Sequence, residues 1–118
     1  MHSKIIKVGY GKVKKVEIGF NKPLSFIGGP CAIESLDHSL FMAEKIKKIC
    51  EALKIQFIFK SCYNKDCRSS VESFNGVGIE NGLNILSKVR EKIGVPVVSD
   101  FSVPEWAGPT GEVCDMVQ

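Results

Sequence analysis

The 118-residue sequence contains no apolar run close to the roughly 20 residues that a membrane-crossing helix needs. Its opening, MHSKIIKVGY, lacks the apolar segment of a secretory signal. Cysteines stand at 31, 50, 62, 67 and 114 but never as a C-x-x-C pair, which argues against a structural zinc site. An odd, scattered set suits free thiols, so a cytoplasmic location is expected. Charge of one sign is also scarce: 16 basic against 13 acidic residues leave +3, too little to argue for nucleic acid. A full dinucleotide fingerprint is missing. Gly76 and Gly78 form only a G-x-G, and they follow a loop rather than a strand.

What is present is a soluble, globular composition of one-domain size, 44% hydrophobic and 25% charged. Within residues 1–20, Val13, Val16 and Ile18 alternate with lysines, and Gly9 and Gly11 punctuate the run, which predicts a β-hairpin. Short apolar strands follow at 24–29, 55–59 and 95–100, and DMVQ reads as the start of a fourth. Between them lies a helix over 36–54, with Leu36, Leu40, Ala43, Cys50 and Leu53 on one face and Phe41, Ile46 and Ile49 widening it. A second helix spans 79–93 and stops at Gly94; a weaker one, over 104–113, is interrupted at Gly108-Pro109. Strands and amphipathic helices in alternation imply a parallel α/β sheet. A closed barrel takes roughly 250 residues, so the expected fold is the N-terminal part of a (β/α)8 TIM barrel. About three to four β/α units would occupy 24–118, behind the hairpin, in a single incomplete domain 1–118.

In such folds chemistry gathers at the carboxyl ends of the strands. Those ends carry Cys31 and Glu34, then Lys60, Lys65 and Arg68 with Ser69 and Ser70, then Asp100. Lysine supplies a point charge, arginine a planar fork for phosphate or carboxylate, and serine hydroxyls complete the coordination. An anionic ligand is favoured over a merely solvated loop. Asp100 can bond a sugar hydroxyl, hold a metal, act as a base or cap a helix. Cys31 is open to three readings: a packed small hydrophobe, a metal thiolate or a nucleophile, the last without an assignable base. His38 is expected to be exposed, while Cys50 and Trp106 read as packing.

GGPCAIES, FKSCYNKDCRSS, GVGIENGL and VPVVSD together resemble the opening of the 3-deoxy-D-manno-octulosonate 8-phosphate synthases. The likeness runs from about residue 5 to the last residue, against less than half of that family's barrel. A sister family, the 3-deoxy-D-arabino-heptulosonate 7-phosphate synthases, shares the GPC-type strand end. The second loop separates them. Lys60, Lys65, Arg68, Ser69 and Ser70 keep the spacing of the octulosonate family's Lys-Ala-Asn-Arg-Ser-Ser motif and its preceding lysine. Departures are Cys67 for asparagine, Asn75 for arginine, Val77 for proline, and Ser102-Val103 where the family has His-Glu.

The resemblance implies condensation of phosphoenolpyruvate with arabinose 5-phosphate and water, releasing phosphate. Lys60 and Asp100 would be catalytic. Lys60 and Lys65 would lie near phosphoenolpyruvate, Arg68 and Ser69 at the aldose phosphate, and Asp100 at the reacting centre and the sugar hydroxyls. Cysteine at position 31 marks the metal-dependent class, so Cys31 would ligate a divalent metal (zinc, iron, manganese or similar) with ligands from later strands. The implied partners are the two substrates and either further copies, as a tetramer, or a complementary C-terminal fragment; neither nucleic acid nor membrane is expected. Alternatives are a non-catalytic remnant, half of a split enzyme, and the heptulosonate activity.

Overall fold

The computed structural model describes residues 4–64 and 77–118. Its frame is a parallel sheet of four strands in chain order: β3 (Ser25–Gly28), β4 (Gln56–Lys60), β5 (Val97–Ser99) and β6 (Met116–Val117). An antiparallel hairpin of β1 (Ile6–Val8) and β2 (Val16–Ile18) precedes it, pairing Ile6 with Ile18 and Val8 with Val16. Helices α1 (Leu36–Leu53), α2 (Ile79–Ile93) and α3 (Ala107–Val113) make the crossovers, with a 3-10 turn at Pro104–Trp106. Sequential parallel order with helical crossovers is the arrangement of the opening units of a (β/α)8 barrel.

Side-chain alternation along β4 separates two cores. Phe57 and Phe59 point to the helices and join Ile33, Leu86, Val89 and Val97. Ile58 points the other way and meets Val8, Val16 and Val98, so the hairpin covers the inner face of the sheet. Lys60 and Asp100, two residues beyond Ile58 and Val98, inherit that inner face.

The helices are set by their ends. Ser35 caps α1 by accepting the His38 N–H at 3.1 Å. Lys54, left-handed at φ 58°, donates its N–H to the Cys50 and Glu51 carbonyls, so α1 ends one residue earlier than expected. The apolar face of α1 is narrower than the sequence suggests. Ala43 and Cys50 are buried, but Phe41, Ile49 and Leu53 are 58%, 58% and 64% exposed. Each residue turns the helix by ~100°, which carries Phe41 off the stripe that Leu40 occupies. α2 has the expected limits and ends at Gly94, whose φ of 76° suits glycine. α3 is not interrupted at Gly108-Pro109. Pro109 falls in its first turn, where an N–H has no helical acceptor to lose.

Asp115, at the entrance to β6, ties hairpin, α2 and sheet together. Its wholly buried carboxylate lies 2.9 Å from Arg90 Nε. It also accepts the N–H groups of Val97 at 2.8 Å and Tyr10 at 3.0 Å. The Arg90 guanidinium stacks 3.5 Å from the Tyr10 ring centre and donates to the Tyr10 carbonyl.

Candidate functional site

The strand ends are drawn together before any side chain acts. Parallel pairing continues past β3 and β4: Cys62 N–H donates to the Cys31 carbonyl at 3.3 Å, and Ile33 N–H to the Cys62 carbonyl at 2.9 Å. Ser61 Oγ donates to the Pro30 carbonyl at 2.6 Å. Gly29 permits this approach, since a Cβ there would stand 2.2 Å from the Lys60 carbonyl oxygen. That is the physical reason for the glycine in FIGGPC.

On this scaffold Lys60 reaches across two neighbouring strand ends. Its Nζ lies 3.6 Å from Asp100 Oδ1 and donates to Gln118 Oε1 at 2.7 Å. Cys62, on the same strand face, donates its thiol to Asp100 Oδ2 at 3.4 Å. Burial pushes the Cys62 thiol up, so it persists as a neutral donor that orients the carboxylate. Among the described residues the buried Oδ1 of Asp100 has no hydrogen-bond partner. The mouth therefore combines an ammonium group, a carboxylate with spare acceptor capacity and an amide, on three adjacent strand ends. Such a set can neutralise an anion and hold a hydroxyl.

Below it, Tyr63 is buried with its hydroxyl 2.8 Å from Thr110 Oγ1 and its ring edge-on to Trp106. Its carbonyl accepts Gly78 N–H at 3.1 Å, joining the two described ends of the second loop. Gly82 sits against it: a Cβ there would come 2.1 Å from Tyr63 Cβ. Trp106 is thus a packing residue.

The candidate residues divide as follows. Lys60 and Asp100 come together. Lys65, Arg68, Ser69 and Ser70 lie outside the described residues, as do Cys67 and Asn75. Asp100 caps no helix; Val103 precedes the 3-10 turn. Cys31 is exposed. His38 is half-buried rather than exposed, its Nδ1 3.9 Å from Glu34 Oε2. Sequence reasoning passed over Gln118 and Cys62. Cys62 stands where the strand-end rule would have found it, two residues beyond Lys60; Gln118 follows β6, whose end the sequence does not mark.

Among the described residues no group of three or more His, Cys, Asp or Glu side chains could hold a metal ion. Cys31 offers one thiolate, and the described donors do not make a metal site by themselves. No helix among them is long and apolar enough to cross a membrane.

Parallel strands in chain order, helical crossovers and a polar cluster at the strands' carboxyl ends are those of the N-terminal part of a (β/α)8-barrel protein. The chain belongs to the DAHP synthetase I family, whose sequence profile matches residues 5–118. It is 47% identical over 103 residues to a 2-dehydro-3-deoxyphosphooctonate aldolase of a Cyanothece species, covering 87% of this chain and 38% of that protein. Proteins of the same name from Rickettsia rickettsii and Koribacter versatilis are 46% and 48% identical over 107 residues, covering 91% of this chain and 39% and 38% of theirs. The chain therefore spans about two fifths of the length of these relatives.

Proposed function

We propose that this chain contributes the first part of the active-site mouth of an enzyme joining phosphoenolpyruvate to arabinose 5-phosphate, with release of phosphate. The observation that carries the reading is the convergence of Lys60, Asp100 and Gln118 at three neighbouring strand ends. The name shared by relatives at 46–48% identity supports it.

Both substrates are anions, and their mutual repulsion opposes encounter. Lys60 offsets that charge at a fixed position; by the family resemblance, Lys65 would serve phosphoenolpyruvate beside it, and Arg68 and Ser69 the aldose phosphate. C3 of phosphoenolpyruvate attacks the aldehyde carbon, water adds at C2, and phosphate leaves from C2. Asp100, with Oδ2 held by Cys62 and Oδ1 ion-paired to Lys60 but without a hydrogen-bond partner among the described residues, accepts a hydrogen bond from a sugar hydroxyl. Cys31 would be one ligand of a divalent metal, which would polarise the aldehyde or the attacking water, with further donors from later strands of the barrel.

The remaining β/α units are needed for turnover. β3 and β6 are the edges of the described sheet, and Phe26, Ile27 and Val117 there are 44%, 42% and 46% exposed. Such edges take further strands, from the same polypeptide, a complementary one or an oligomer.

Calorimetric titration with phosphoenolpyruvate tests the mouth directly. Saturable heat is expected for the chain and a loss of about tenfold in affinity for Lys60→Met. Equal affinity in the variant would remove Lys60 from the site.

A further inference from the structure

At the opposite end of the strands from Lys60, a cleft of about 570 Å³ opens between the hairpin and the C-terminal turns of α1. That volume falls within the ~300–1,000 Å³ typical of small-molecule sites. Its lining includes the apolar side chains of Cys50, Ile55, Phe57 and Val95. Its walls are fixed. Gln56 accepts the Glu17 N–H and donates to the Glu17 carbonyl, both at 2.7 Å, and Lys14 N–H donates to the Gly94 carbonyl at 2.9 Å.

The rim is basic, with five lysines against Glu17 and Glu51. Three of these lysines are engaged within the protein. Lys22 lies 3.5 Å from Glu17, Lys15 donates to the Gly11 carbonyl at 2.6 Å, and Lys47 donates to the Ile93 carbonyl at 2.9 Å. Lys14 and Lys54 are exposed and, among the described residues, form no salt bridge with a carboxylate. The end of α1 adds only about half a negative charge, so the rim remains net positive.

We propose that this cleft binds a small organic anion: an apolar body on Phe57 and Val95, with a phosphate or carboxylate between Lys14 and Lys54. The site is separate from the mouth. Gln56 and Lys60 stand at opposite ends of β4, roughly 13 Å apart at ~3.3 Å per residue. It stands independently of the function proposed above.

The test is an NMR titration of the isotope-labelled chain with phenyl phosphate, benzoate and inorganic phosphate. The proposal expects saturable amide shifts at Lys14–Glu17 and Cys50–Phe57 with at least one of the two aromatic anions, and the tighter of them names the head group. Shifts at Ser99 and Asp100 report the separate mouth and do not count towards the cleft. Lys14→Gln combined with Lys54→Gln should weaken binding about tenfold, its own spectrum reporting that the fold is kept. Shifts confined to the mouth, no saturable shift, an unaffected double variant, or inorganic phosphate binding as tightly as the aromatic anions would each overturn it.

Discussion

Lys60 faces a carboxylate and an amide across neighbouring strand ends, yet its side chain stays 30% exposed. An ion pair so open to water is worth only about 0–1 kcal/mol, so the arrangement serves ligand binding more than stability. The cysteines divide by environment. Cys31 is exposed, while Cys50, Cys62 and Cys114 are buried. Brief alkylation of the native chain should therefore label Cys31 and spare those three, as peptide mass spectrometry would read. Burial pushes the Cys114 thiol up to about 12 from an ordinary value of 9. Its folded value lies above its unfolded one, so this contribution is complete below pH 9 and is lost as pH rises towards 12. Urea midpoints of Cys114→Ala should fall less steeply over that window than those of the unaltered chain. Which cysteine does what was only partly legible. Cys50 could be placed from its position on an apolar helical face. Cys31 could not, because its exposure is fixed by the pairing of two loops rather than by its neighbours in sequence.

The elements hold together through a few contacts between residues far apart in sequence. Asp115 links Arg90 of α2, Tyr10 of the hairpin and the start of β5. Removing one member of a buried pair costs about 3–5 kcal/mol, so Asp115→Asn should lower the urea midpoint markedly with little dependence on salt. Gly82→Ala places a Cβ against Tyr63. The resulting overpacking should cost about 1–3 kcal/mol and perturb the Tyr63 side-chain resonances. The limits of α2 were readable because an apolar repeat and a left-handed glycine carry local information. The exposed Phe41 and Ile49 of α1 were not, since composition gives the width of an apolar face but not how much of it a neighbour covers. The uninterrupted α3 shows that a proline stops a helix only beyond its first turn.

At the scale of the whole molecule, the parallel sheet follows from the alternation of apolar strands and amphipathic helices, and the existence of the hairpin from its own apolar–polar alternation; both were legible in the sequence, whereas the packing of Val8 and Val16 against Ile58 and Val98 was not, because it joins residues far apart in the chain. The mouth was legible in part: Lys60 and Asp100 follow from the strand-end rule, whereas Gln118 required knowing where β6 ends. On the proposed function, this mouth, with Lys60 at its centre, handles phosphoenolpyruvate and an aldose phosphate in a completed barrel. The most direct measurement is phosphate release from phosphoenolpyruvate by the chain supplied with the remaining β/α units of the Koribacter relative. Release should require arabinose 5-phosphate and fall at least about a hundredfold in Lys60→Ala. Release that is as fast with erythrose 4-phosphate, or undiminished by Lys60→Ala, would contradict the account.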